Sequence, residues 1–233
     1  MTSVPDPSSA TDWLQRRRRL DSLLRLQAAV MIGDPGQHEA IRLLAEALSD
    51  AEADVRELAA AALSEFGAEG RIALPELIRA VQDENPVVRR RAIRAIGFIG
   101  PEAADDALSI LAASTEDLDD GVALQAIATL GDFGSLASSA IPALMSAIWT
   151  GDVRRRAVAG ATLSRIGPAV VPFLVQSLSH PAPEVRAKCA HLLGSLGASA
   201  QEARPALELL LNDRDDATRD AAGQALRLIE PVK

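Results

Sequence analysis

Apolar residues recur along this chain at helical spacing, and the helices they predict recur at a nearly constant interval. The segments DVRELAAAALSEFG (54–67), VVRRRAIRAIGFIG (87–100), GVALQAIATLGDFG (121–134), RRRAVAGATLSRIG (154–167), EVRAKCAHLLGSLG (184–197) and ATRDAAGQALRLIE (217–230) align on their closing residues at intervals of 33, 34, 33, 30 and 33. One row holds Ala59, Ala92, Ala126, Ala159, Cys189 and Ala222, and a second, four residues on, holds Leu63, Ile96, Leu130, Leu163, Leu193 and Leu226. Phe66, Ile99, Phe133, Ile166, Leu196 and Ile229 complete the stripe, so one face of each helix is expected to be core. The closing glycine suits the left-handed position that ends a helix.

A shorter amphipathic run lies between copies. Pro75, Pro142 and Pro205 each fall eight residues after a closing glycine, where proline suits a first helical turn because no amide hydrogen is needed there. Pro172 follows Gly167 by only five residues, and that deletion accounts for the short interval. The additional residue of the 34-residue interval is expected in the acidic loop STEDLDDG (114–121). The unit is therefore helix, turn, helix. Gly33 closes an imperfect earlier copy, and HEAIRLLAEALS (38–49) supplies the next first helix. Residues 1–11 are expected to be disordered, and 12–233 to form one repeat domain whose N-terminal helix, with Trp13 and Arg16 to Arg19, caps the stack.

The recurring V-R-x-x-A-x-x-A-[LI]-x-x-[IL]-G, clearest at Val55 to Gly67, Val88 to Gly100 and Val185 to Gly197, resembles the HEAT-repeat family in its short PBS-lyase HEAT-like form. The resemblance covers roughly residues 21–230 and implies an all-α, right-handed α-solenoid of about six helix pairs. It also implies that the arginine column at the start of each second helix, Arg56, Arg89, Arg186 and Arg219, meets acidic residues near helix starts of neighbouring repeats as a ladder. In the fourth repeat either Arg154 or Arg156 holds the column, and Ala123 breaks it in the third.

Arg90, Arg91 and Arg94 fall outside that column. With Ala92, Ile96 and Ile99 in the core, residues 91, 94 and 98 lie on the opposite face, which in HEAT-like stacks is the concave binding surface. The same offsets in other repeats select a mixed groove of small residues, among them Ala61, Ala128, Ala161 and Ala221, and basic ones. Its candidate partner-binding residues are Arg91, Arg94, Phe98, Gln125, Arg165, Lys188 and His191. Arginine is favoured in interface hot spots, so the expected ligand is a protein or an acidic or amphipathic peptide.

Composition narrows the alternatives. Of 233 residues 48% are hydrophobic and only 3% aromatic, with no tyrosine, which favours helix over sheet. A net charge of -8 argues against general nucleic-acid binding. A single cysteine, Cys189, excludes an internal disulfide, and its place in the alanine row makes it a small core residue. The polar start and the lack of a long apolar run lead us to expect a soluble, cytoplasmic protein without membrane insertion.

Enzymatic signals are sparse. His38-Glu39 is the only His-Glu pair, whereas the HEAT-like deoxyhypusine hydroxylases this fold resembles carry several to hold two irons. His180 and His191 have no recognisable catalytic partners, and the Gly-x-x-Gly sequences at 97–100, 131–134 and 194–197 read as close helix packing followed by a helix stop. The expectation is a non-enzymatic scaffold or adaptor that needs no cofactor or metal. Two other classes stay open: a chromophore-protein handling subunit like the bilin lyases, and a HEAT-like DNA glycosylase whose arginines would meet phosphates.

Overall fold

The computed structural model describes residue 21 and residues 37–229, so Gly33, Trp13, Arg16 to Arg19 and the tail lie outside the described residues. Those described contain no strand and twelve α-helices in six pairs. The pairs are α1 (Gln37–Ala47) with α2 (Ala53–Leu63), α3 (Leu74–Ala80) with α4 (Pro86–Ile99), and α5 (Ala104–Ser114) with α6 (Asp120–Asp132). They continue as α7 (Ile141–Thr150) with α8 (Val153–Ile166), α9 (Val171–Ser177) with α10 (Pro183–Ser195), and α11 (Arg204–Leu210) with α12 (Asp216–Ile229). This repetition of helix pairs is the all-α solenoid class that the sequence pattern implies.

Each boundary has a chemical cause. Pro75, Pro142, Pro172 and Pro205 all sit in the first turn of α3, α7, α9 and α11. The second helices begin with a side-chain cap in several repeats: Asn85 accepts from the Val87 amide at 2.8 Å, Asp119 from Val122 at 3.0 Å and Asp152 from Arg155 at 2.7 Å. Within four residues of their ends stand Gly67, Gly100, Gly134, Gly167 and Gly197, all with positive φ, so the chain can turn away where a side chain would strain it. Short 3-10 segments then lead to the next pair, and the one after Gly167 is only Pro168–Val170, which locates the three-residue deletion.

The additional residue of the long interval is not in the acidic loop. The turns 81–85 and 115–119 are equally long, whereas α5 begins four residues after Gly100 and runs eleven residues against the seven of α3. No proline stands in that first turn to fix the helix start, so the helix extends backwards to Ala104 and absorbs the insertion.

Two compact units share the helices. One runs to Ile110 and includes Asp119–Gln125; its core holds Ile41, Leu44, Leu63, Leu77, Ile93 and Ile96, all essentially inaccessible. The other takes Leu111–Leu118 and the chain from Ala126, with Leu130, Leu144, Leu163, Leu174, Leu193 and Leu207 equally buried. Full burial of each such side chain stabilises by about 1.5–3 kcal/mol. The alanine row is buried throughout, as is Cys189 within it, while Leu196 and Leu226 are only partly covered. In the second unit two hydroxyls tie neighbouring second helices together: Thr162 Oγ1 donates to the Ile127 carbonyl at 2.9 Å, and Thr218 Oγ1 to that of Pro183 at 3.2 Å.

Candidate functional site

The arginine column is a structural device with a repeated geometry. Arg56, 7% exposed, donates through Nε to Asp83 Oδ2 at 2.6 Å and through Nη2 to Oδ1 at 2.9 Å. Its Nη1 donates to the carbonyls of Asp50 and Ala51 in its own repeat, at 3.0 and 3.1 Å. Arg186 copies this in the second unit, with Nε to Asp213 Oδ2 at 2.8 Å, Nη2 to Oδ1 at 2.7 Å and Nη1 to the His180 and Pro181 carbonyls, both at 2.9 Å. Each arginine thus fastens its own inter-helix turn and grips the turn of the next repeat. Arg89 and Arg219 make the same contact to their own turns, through the carbonyls of Asp83 and Asp213 at 2.8 Å. In the fourth repeat Arg156 reaches into the next repeat, to Glu184 at 3.8 Å, and Arg154 is exposed.

The acidic side of this ladder has its own sequence signal, which reading for arginines alone overlooks. Seventeen residues before the six closing residues stand Asp50, Asp83, Asp117, Thr150, His180 and Asp213. Burial alone would push the Asp83 carboxyl up, yet hydrogen bonds from Arg56 and the Asn85 amide, with the charges of Arg56 and Arg89, hold it below its ordinary value. For Asp213 the hydrogen bond from Arg186 is the largest influence, joined by the Asp215 amide, and lowers the carboxyl despite burial.

The candidate partner-binding residues lie off the core face in both units. In the first, Arg94 and Phe98 are exposed on α4, the guanidinium carbon 5.3 Å from the ring centroid. Arg91, half-buried one turn before, pairs with Glu57 of α2 at 3.4 Å, and Gln125 is half-buried on α6. In the second, Arg165 pairs with Asp132 at 2.9 Å, and Lys188 and His191 share a face of α10. Lys188 lies across Gly160 of α8: a Cβ there would stand 2.6 Å from its Cε. Ala221, at the corresponding offset in α12, is completely buried and contributes nothing to such a surface.

The remaining polar and reactive groups have structural settings. His38 is exposed and 3.6 Å from Glu69. Burial pushes the Cys189 thiol up to about 12, against the opposing hydrogen bond with Ser177. Gly194 brings α10 and α12 together, since a Cβ there would stand 2.9 Å from Ala225 Cα. Among the described residues no three His, Cys, Asp or Glu side chains are grouped to hold a metal ion. No single described helix is long and apolar enough to cross a membrane.

Two engineered proteins have similar solved structures. One is 21% identical, with 81% of this chain and 96% of that chain covered and a TM-score of 0.54; the other is 20% identical, with 82% and 58% covered and a TM-score of 0.56. The complex of CpcE and CpcF of phycocyanin lyase from Nostoc sp. PCC7120 is also similar, at 23% identity, 79% and 75% coverage and a TM-score of 0.51. These likenesses concern the fold. No curated protein matches the chain. HEAT repeats match residues 74–164 and 150–227, which together take in the column of arginines, the turn aspartates and the positive-φ glycines from the third helix onward. With about two thirds of its length matched in this way, the chain belongs to the HEAT-repeat family.

Proposed function

We propose that the chain is a non-enzymatic scaffold or adaptor that binds a partner protein or an acidic peptide on the outward face of its second helices. The observation that carries this reading is the Arg94–Phe98 pair: an exposed guanidinium stacked on an exposed aromatic ring, with no acidic partner for Arg94 among the described residues. An aromatic ring and a cation already held together lose little side-chain entropy when a ligand covers them. Arg91 stands one turn from Arg94 on α4, and on the second unit, taken by itself, Arg165, Lys188 and His191 are cationic or polar groups at the corresponding offsets, Lys188 lying across Gly160. A family whose members generally bind proteins supports the same reading.

The test is affinity capture from native extract, with nuclease, comparing the wild type with an Arg91→Glu, Arg94→Glu double variant. Recovery of a protein by the wild type and its loss from the variant, at unchanged helical content, is the expected result. Nucleic acid as the captured species overturns the proposal in favour of a phosphate-binding protein. Equal recovery by both proteins removes Arg91 and Arg94 from the surface. A coloured chromophore protein as the ligand specifies the adaptor as a chromophore-protein handling subunit.

A further inference from the structure

Lysine is almost absent from this chain. Of its 24 lysine and arginine residues only Lys188 and Lys233 are lysine. Lys188 stands nine residues before its closing glycine, the offset that Arg91 holds in the first unit, so the repeat accepts a guanidinium at this place. The two side chains share a charge but not a chemistry. A guanidinium keeps its proton, whereas an amine can release one and become a nucleophile.

Two further departures coincide with this lysine. The first is a vacated position on the helix beside it. Seven residues before the closing residues stand Ala60, Ile93, Ile127, Gly160, Ala190 and Gly223. Ala60, Ile93, Ile127 and Ala190 are completely buried, each filling its place with its own side chain. Gly160 leaves that place to Lys188 of the following helix pair: a Cβ on Gly160 would stand 2.6 Å from Lys188 Cε, 3.0 Å from its Nζ and 3.4 Å from Leu192 Cδ2. Nothing comparable covers Gly223, where the atoms nearest a Cβ, from Arg227 and Leu211, are 3.8 and 3.9 Å away.

The second departure is a missing acid. Arg91 is answered at 3.4 Å by Glu57 of the preceding second helix, and at the corresponding position before Lys188 stands Ala157. Asp132 is taken by Arg165 at 2.9 Å and Glu184 by Arg156 at 3.8 Å, and Lys188 has no ion pair or hydrogen bond among the described residues. Burial pushes the adjacent Cys189 thiol up to about 12, so it supplies no thiolate either. The amine is thus half-buried against the α8 backbone at Gly160 and beside Leu192, with no carboxylate to retain its proton. An amine in an apolar setting is the activated form of this nucleophile.

We propose that Lys188 is a site of N-acylation, a nucleophilic amine that accepts the acyl group of an acyl phosphate or an acyl thioester. The nitrogen lone pair attacks the acyl carbonyl carbon and a C–N bond forms. The bond from that carbon to the phosphate oxygen or the sulfur breaks, its electron pair leaves with phosphate or thiolate, and the surplus proton on nitrogen passes to water. Gly160 acts by position, because a stem seated across it presents the amine to the donor in one place. The amide that results is uncharged. On the adaptor reading above, acylation therefore removes a groove cation that no acid of the chain already holds, but the reactivity itself needs no partner and stands apart from that reading.

The probe is acetyl phosphate, with occupancy of Lys188 followed over time by peptide mass mapping. The native protein is compared with the same chain unfolded in guanidinium chloride at the same pH. Lys188 is expected to be acetylated at least about tenfold faster in the native protein. Two variants separate the causes. Gly160→Ala removes the seat and is expected to bring the native rate to within about twofold of the unfolded one. Ala157→Glu, at an exposed position, restores the acid that Arg91 meets and is expected to slow the native reaction by about tenfold. Far-ultraviolet circular dichroism checks that both keep the helical content. Acetylation of the native protein no faster than that of the unfolded chain overturns the proposal, as does a native rate that either substitution leaves unchanged.

Discussion

Arg56 holds Asp83 of the following repeat by two parallel hydrogen bonds while its third nitrogen fastens the carbonyls of its own turn. Both side chains of the pair are 9% exposed, so water offers little compensation if one is removed. Arg56→Ala is expected to lower the unfolding free energy by about 3 kcal/mol, measured by urea denaturation. Arg56→Lys is expected to recover little of this, because a single ammonium cannot serve a carboxylate and two carbonyls from the fixed fork that the guanidinium provides. Full recovery by lysine would reduce the contact to simple charge.

The same geometry fixes a pH dependence. Asp83 and Asp213 are held below their ordinary carboxyl range in the folded chain, so below neutrality the unfolded chain binds protons first. Stability from these groups is complete above the unfolded aspartate value, at about pH 4, and is lost as pH falls through the lowered folded-state values. An Asp83→Asn, Asp213→Asn double variant is therefore expected to be less stable at neutral pH and to show a shallower loss below about pH 4. Thermal melts at stepped acid pH measure both. Parallel curves for the two proteins would show that other carboxylates govern acid unfolding.

Cys189 tests the packing of the alanine row directly. Its thiol is inaccessible and raised to about 12, so at about pH 8 almost none is thiolate and none meets solvent. A chromogenic disulfide reagent is expected to find no thiol in the native protein and one in denaturant. Rapid native reaction would mean that α10 separates from its neighbours on the timescale of the assay.

How far the sequence foretells this molecule depends on whether a feature repeats. The core rows, the closing glycines, the helix-starting prolines and the three-residue deletion are each stated several times over, and the structure places them as the period requires. Single departures were harder to place. The insertion of the 34-residue interval went into α5, because a helix without a proline start can lengthen at its first turn, and an acidic loop is only a plausible host by composition. The arginine column is legible in the sequence, but its individual partners are not, since Asp83 and Asp213 lie in the next repeat and become neighbours only through stacking. Ala221 shares the offset of Arg91 but is buried in α12, which shows that a position in the repeat does not by itself set exposure. Trp149 and His180, at different offsets in different repeats, meet only in three dimensions.

Three glycines that look alike in a helical repeat are expected to respond differently to alanine, because each is small for a different reason. Gly167 has φ +89 and open space around a Cβ, so Gly167→Ala carries backbone strain alone, costing about 1 kcal/mol. Gly194 lies inside α10, where a Cβ would stand 2.9 Å from Ala225 Cα, a backbone atom that yields only if α10 and α12 move apart. Overpacking of this kind costs about 1–3 kcal/mol. Gly160 lies inside α8, and a Cβ there would be nearest Lys188 Cε at 2.6 Å, the far end of a flexible side chain that can swing aside. Gly160→Ala therefore gains helix propensity, up to about 1 kcal/mol, and displaces Lys188 without touching the backbone. The expected order of unfolding midpoints is Gly160→Ala at or above wild type, then Gly167→Ala, then Gly194→Ala. A Gly160→Ala protein less stable than Gly167→Ala would mean that the stem of Lys188 is wedged between α8 and α10 as packing, and that its amine is not available to a ligand.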